Sequence, residues 1–207
     1  MHKAAAELIG TFFLVLTVGC TGIAAGPGVI APLAIGSILM VMIFAGGHVS
    51  GGHFNPAVTL GVFLRGRCPA GDVLPYVIAQ LIGAAAAAGL VLLFKMEPAV
   101  PFVARPVAAG VAEFLFTFAL VYVVLNVATA KATAGNSYFG LAIGFTVLAG
   151  AFAVGDVSGA AFNPAVAVGA MIMHMLPWSN LLLYLGPELL GGAAAALAFK
   201  AINPNDR

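Results

Sequence analysis

Val49-Ser50-Gly51-Gly52-His53-Phe54-Asn55-Pro56-Ala57-Val58 returns 108 residues later as Val157-Ser158-Gly159-Ala160-Ala161-Phe162-Asn163-Pro164-Ala165-Val166, with eight of ten positions identical. The same offset lays Leu33-Ala34-Ile35-Gly36 on Leu141-Ala142-Ile143-Gly144, and an offset of 106 lays Ala6-Glu7 and Thr11-Phe12 on Ala112-Glu113 and Thr117-Phe118. Self-similarity at a fixed spacing is the mark of a tandem duplication. It predicts one domain over 1–207 built from two repeats, about 1–100 and about 101–207.

Both copies lie in an apolar chain. Of 207 residues, 62% are hydrophobic and 7% charged, against roughly 25% charged in an average soluble domain. So few charges cannot cover a water-facing surface, which argues against a soluble enzyme and for an integral membrane protein in the lipid bilayer. A net charge of +1 offers no basic footprint for nucleic acid. Cys20 and Cys68 form neither a CxxC nor a disulfide framework, and the four histidines include no HExxH pair, so no metal or cofactor is expected.

A membrane-spanning helix needs about 20 mostly apolar residues, and six stretches qualify, near 4–25, 30–48, 73–95, 104–128, 138–155 and 178–201. The first has features of a signal peptide, with Lys3 ahead of it and Ala24, Ala25 and Gly26 at its end. Glu7 inside the run, and the return of the pattern at 112–128, assign it to the mature fold. Two further apolar segments, 55–64 and 163–173, are too short to cross and are expected to enter only halfway. Irregular backbone at that depth is tolerated only beside protein or a water-filled cavity, so Gly46 to Gly52 and Gly155 to Gly159 are expected to line one.

Three spans per repeat is an odd number, so the second repeat starts on the opposite face and the two copies are inverted. Inverted repeats place their shared site near the bilayer midplane, where the two short helices meet N-terminus to N-terminus. With both termini in the cytoplasm, Lys3, Arg65, Arg67, Lys131, Lys200 and Arg207 lie inside and Lys95 and Arg105 outside, as the positive-inside rule favours. The expected location is the plasma (inner) membrane.

Asn is a favoured helix N-cap and Pro a favoured first helical residue. Asn55-Pro56 and Asn163-Pro164 therefore read as two helix starts. A capping Asn keeps amide N–H groups free to point away from its helix. Between two helix N-termini, each carrying about half a positive charge, such donors suit a neutral oxygen and repel cations. A water held there as acceptor interrupts a proton-conducting file.

At these residues the chain resembles the aquaporin, or major intrinsic protein, family. The resemblance runs through the AExxxTF patterns at Glu7 and Glu113, Gly47 to Thr59, Ala79-Gln80-Leu81-Ile82-Gly83, Ser158 to Ala165, and Gly186-Pro187. It implies an all-α membrane protein with six tilted spans, two re-entrant half-helices, one pore per subunit and a homotetramer. Asn55, Pro56, Ala57, Asn163, Pro164 and Ala165 would form the pore midplane. Carbonyls of Gly51, Gly52, His53 and Phe54, and of Gly159, Ala160, Ala161 and Phe162, would form an acceptor ladder along the pore.

The family's outer constriction, counted from the two Asn residues, falls on Ile35, Ala151, Ala160 and Val166. The expected aromatic, the common His and the Arg are all replaced by apolar residues, and Ala167 stands where glycerol channels carry Asp. By this resemblance the mouth is wider and less polar than a strict water filter. The expected cargo is water together with a small neutral solute such as glycerol, urea, ammonia or hydrogen peroxide. The alternative, a proton-coupled secondary transporter, would use Glu7, Glu113 or Glu188.

Glu7 and Glu113 read first as loop supports, accepting hydrogen bonds from the irregular segment beside each short helix. Glu188 sits 108 residues after Gln80 and suggests a helix-packing hydrogen bond, with gating or proton sensing as the sharper reading. His48 and His53 lack counterparts in the second copy and read as structural or size-setting. His2 and His174 read as solvent-exposed, Cys20 as packed in its span and Cys68 as exposed on the cytoplasmic side. The small-residue runs at Gly83 to Gly89 and Gly191 to Ala196 read as close helix-packing faces.

Overall fold

The structure, a computed structural model, describes residues 1–22, 30–95 and 99–206. Among the described residues eight α-helices follow one another: α1 (His2–Gly22), α2 (Ile30–Ser50), α3 (Pro56–Leu64), α4 (Ala70–Phe94), α5 (Pro106–Val124), α6 (Phe139–Ser158), α7 (Pro164–Ile172) and α8 (Leu181–Ile202). No strand occurs among the described residues. Six helices are long and apolar enough to cross a membrane, α5 extended by a π-helical turn, Leu125–Thr129. A 21-residue helix such as α2 reaches about 31 Å, the thickness of the hydrocarbon core, whereas the nine residues of α3 or α7 reach about half of it.

The helix limits differ from the sequence reading in one instructive place. α2 continues through Gly46 and Gly47 to Ser50, and α6 through Gly155 to Ser158, so only 51–55 and 159–163 are irregular. Glycine weakens a helix by only about 1 kcal/mol, which tertiary packing overrides. The possible cleavage site Ala24 to Gly26 lies outside the described residues, as does Arg207.

Inversion is visible in the packing. α1 lies on α4 as α5 lies on α8, and α3 touches α8 as α7 touches α4. α2 meets α6, and α3 meets α7, across the relation between the repeats. The α2–α6 crossing is close because Gly36 and Gly144 face each other: a Cβ on Gly36 would lie 2.7 Å from the Gly144 carbonyl oxygen. Likewise a Cβ on Gly83 would lie 2.5 Å from the Leu8 oxygen, and one on Gly191 2.6 Å from the Phe114 oxygen. Backbone cannot move aside as a side chain can. Gly36→Leu is therefore expected to destabilise the protein by about 3 kcal/mol or more, through overpacking against fixed atoms. Gly89→Ala, at an exposed glycine with nothing within 4 Å, is expected to be neutral or stabilising by up to about 1 kcal/mol. Thermal unfolding of both variants in detergent checks the contrast.

One end of the bundle carries most of the charge. Lys3 pairs with Asp72 at 2.8 Å, and Asp206 accepts from Arg65 at 2.6 Å and from the Lys131 backbone N–H at 2.8 Å, with Arg67 3.8 Å away. Arg65, placed on the cytoplasmic side in the sequence reading, is 4% exposed, with its guanidinium over the Phe199 ring at 4.5 Å. Cys68, read as exposed, is buried in the core. The turn before it is closed onto α3 by bonds from Gly66 N to the Phe63 carbonyl (2.8 Å) and from Arg67 N to the Val62 carbonyl (3.0 Å), and carries the thiol inward.

The Lys131 N–H, followed by the charge of Arg65, holds the Asp206 carboxyl below the usual aspartate range. A depressed folded pKa contributes stability that is complete above the unfolded value and is lost as pH falls through the folded one. Acidification through that range is expected to release residues 203–206 from Lys131. Asp206→Asn should reproduce the release at neutral pH, read as faster amide exchange at 131–136.

Candidate functional site: a pore between two half-helices

Irregular backbone at 51–55 and 159–163 carries the site. Gly51, Gly52 and Gly159 adopt positive φ, and so do Phe54 (50°), Ala160 (54°) and Phe162 (51°), where an L side chain is strained. Such residues persist only where their surroundings over-determine them. Here the fixing groups are two buried carboxylates. Glu7 Oε1 accepts from Ser50 Oγ (2.7 Å) and His53 N (2.9 Å), and Oε2 from Phe54 N (2.6 Å) and Gln80 Nε2 (2.8 Å). Glu113 accepts from Ala161 N (3.1 Å) and Phe162 N (2.7 Å). Ala160 repeats the left-handed turn of Gly52 with a Cβ attached, at about 1–2 kcal/mol of strain. Ala160→Gly should therefore raise stability by up to about 1 kcal/mol, net of the added chain entropy. A higher melting temperature is the check.

Each loop ends in an Asn that caps the following helix and reaches across to the other repeat. Asn55 Oδ1 accepts from Ala57 N (2.8 Å), while its Nδ2 donates to the Phe162 carbonyl at 2.9 Å. Asn163 Oδ1 accepts from Ala165 N (2.9 Å), while its Nδ2 donates to the Phe54 carbonyl at 2.9 Å. One amide hydrogen on each Asn is thus used between the repeats, which leaves the second as a donor. The Phe54 and Phe162 carbonyls thus each accept one bond from the opposite repeat and keep a second lone pair.

Both Asn side chains line a narrow void of about 30 Å³, walled by Leu14, Leu39, Val58, Leu120, Ile143 and Val147. A water needs about 10–15 Å³ of such volume, so the passage holds about two in file. Toward the charged end it opens past His53 into a vestibule of about 710 Å³, lined in part by Arg67, Lys131 and Asn136. Toward the other end it opens into a chamber of about 200 Å³, whose lining includes Ile35, Ala151, Ala160 and Val166. Among the described residues, every side chain of that chamber is apolar. Two half-helices, crossed asparagines and a single-file void between two vestibules make a transmembrane passage.

The sequence matches the family model described as Major intrinsic protein over residues 1–199. The chain belongs to the major intrinsic protein family. Its relatives include the probable aquaporin NIP-type of Nicotiana alata, 35% identical with 100% of this chain and 80% of that protein covered. Aquaporin NIP1-3 of Oryza sativa subsp. japonica is 37% identical (100% and 75% covered), and Nodulin-26 of Glycine max 34% (100% and 80%). In fold the chain is similar to the aquaglyceroporin of Plasmodium falciparum, with a TM-score of 0.82 at 20% identity, covering 98% of this chain and 97% of that one. This major intrinsic protein is an integral membrane channel for water or small solutes.

Several supports in this major intrinsic protein escaped the sequence reading. Tyr76 donates through its hydroxyl to the Ser50 carbonyl at 2.7 Å, and Tyr184 does the same to that of Ser158. Ser50 Oγ accepts from Gly52 N, and Ser158 Oγ from Ala160 N, both at 3.1 Å. The signal was present, since Tyr184 follows Tyr76 by the same 108 residues. Thr59 Oγ1 donates to the Asn55 carbonyl, which makes His53 Nδ1 the donor in the 3.1 Å contact between them. In a neutral ring, Nε2 is then an acceptor at the pore wall. Glu188, read as a helix-packing group, accepts from Asn163 N at 3.1 Å, inside the second loop. His48 and His174 are exposed, and Cys20 packs partly buried against the core.

Proposed function

We propose that this channel passes water together with small neutral solutes of the glycerol and urea class, and excludes ions and protons. The observation that carries the reading is the apolar chamber at Ile35, Ala151, Ala160 and Val166, which among the described residues has no cationic group to narrow it or to bind water selectively, its one aromatic being Phe102. Exclusion falls on Asn55 and Asn163, whose remaining amide hydrogens and helix N-termini favour a neutral oxygen over a cation. That several plant relatives are called aquaporins, and the structural neighbour an aquaglyceroporin, fits a water or polyol cargo. Against the proton-coupled alternative, Glu7, Glu113 and Glu188 are fully buried and none lines the narrow void.

The charged end, with Lys3, Arg65, Arg67 and Lys131, is assigned to the cytoplasm by the positive-inside rule, with the protein in the plasma (inner) membrane as a homotetramer by family resemblance. Stopped-flow scattering on proteoliposomes tests the cargo. Vesicles carrying the native protein should re-swell faster than empty ones in glycerol and urea gradients. Fast water flux with glycerol and urea rates equal to those of empty vesicles would overturn the broad-solute reading. Asn163→Asp is the control for ion exclusion, expected to admit cations.

A further inference from the structure

The two loops are held by different chemistry at one matched position. In the first repeat Gln80 donates its amide N–H to Glu7 Oε2 at 2.8 Å and to Thr59 Oγ1 at 3.1 Å. The 108-residue offset puts Glu188 on Gln80 and Ala167 on Thr59, so the second repeat has no hydroxyl at the latter point. Glu188 nevertheless accepts from Asn163 N while Glu113 accepts from the adjoining Phe162 N, and both carboxyls are fully buried. Two ionised carboxylates on adjoining N–H groups are strongly disfavoured in a low-dielectric interior, which calls for one proton between them. Glu113 accepts the Ala161 and Phe162 N–H groups, one on each oxygen, as an ionised carboxylate does. Glu188 Oε1 accepts from Asn163 N, while its Oε2 receives no donor from any described residue.

We propose that Glu188 is a neutral carboxylic acid whose Oε2–H donates to Glu113, replacing the Gln80 amide, while its Oε1 holds the backbone of Asn163. Glu188 is thus a positioning residue for the second pore asparagine, acting through Glu113 and the loop and never touching the solute. Its effect on flux rests on the reading of Asn163 as a pore donor; its protonation does not.

The test separates the two. Infrared difference spectra of the native protein in bilayers at neutral pH should contain a protonated-carboxyl C=O band that disappears in Glu188→Gln. Glu188→Gln, which keeps one N–H donor and one acceptor oxygen, should fold with unchanged melting temperature and flux. Glu188→Leu should lose at least tenfold in water flux. Absence of a protonated-carboxyl band in the native protein, its persistence in Glu188→Gln, or a Glu188→Gln protein as impaired as Glu188→Leu would each overturn the assignment. With the band lost in Glu188→Gln and native flux in Glu188→Leu, the proton stands and the positioning role falls.

Discussion

Glu7→Ala is expected to abolish conduction and to leave a protein that barely survives detergent extraction. Four donors converge on that carboxylate, from Ser50, His53, Phe54 and Gln80, and all four are buried. Hydrogen bonds to a charged group contribute about 1.5–3 kcal/mol each, and a buried donor left without an acceptor costs about 1–3 kcal/mol. The backbone donors cannot turn away as a side chain can, so a loss on the order of 5 kcal/mol is expected. Phe54, at φ 50°, loses the acceptor of its N–H and should relax out of the left-handed region. That motion would withdraw the carbonyl to which Asn163 donates, so damage begun in the first repeat reaches the asparagine of the second. Glu7→Gln should rescue little, because its amide turns one acceptor oxygen into a donor facing donors. A Glu7→Ala protein with native melting temperature and native water flux would show that the loop holds its shape without this carboxylate.

Val166→Arg is the largest expected change in selectivity. Val166 lies where the narrow void opens into the apolar chamber, and it lines both. An Arg there adds a long side chain and a fixed positive charge to a chamber of about 200 Å³ whose other described linings are apolar. Glycerol and urea flux should fall by about tenfold or more, equivalent to ~1.4 kcal/mol on the barrier. Water, smaller and able to bond the guanidinium in passing, should lose much less. Parallel water and glycerol measurements on the same vesicle preparation give the ratio. Equal losses for both solutes would mean that the side chain merely plugs the passage.

The architecture was legible because the duplicated stretch names both helix starts and an odd number of spans forces inversion. Asn55 and Asn163 begin α3 and α7 for reasons local to the sequence, namely a capping side chain followed by Pro. What the sequence could not show was where each Asn side chain points. Its Nδ2 bonds the opposite repeat, about 108 residues away, and no local pattern carries that distance. The partner of Arg65 was out of reach for a similar reason, because Asp206 lies 141 residues further along. The Tyr76 and Tyr184 supports were legible in principle, had the 108-residue comparison been carried beyond the apolar loops into α4 and α8.

The crossed asparagine bonds also carry a consequence for biosynthesis. Neither repeat contains the donor for its own loop's last carbonyl: Phe54 waits for Asn163, and Phe162 is served by Asn55. During synthesis the first half-helix must therefore reside in the membrane with an incomplete partner set until α7 has been inserted. The midplane comes into being late and all at once, as the last re-entrant segment docks, and a ribosome-stalled first half has no conduit to leak through.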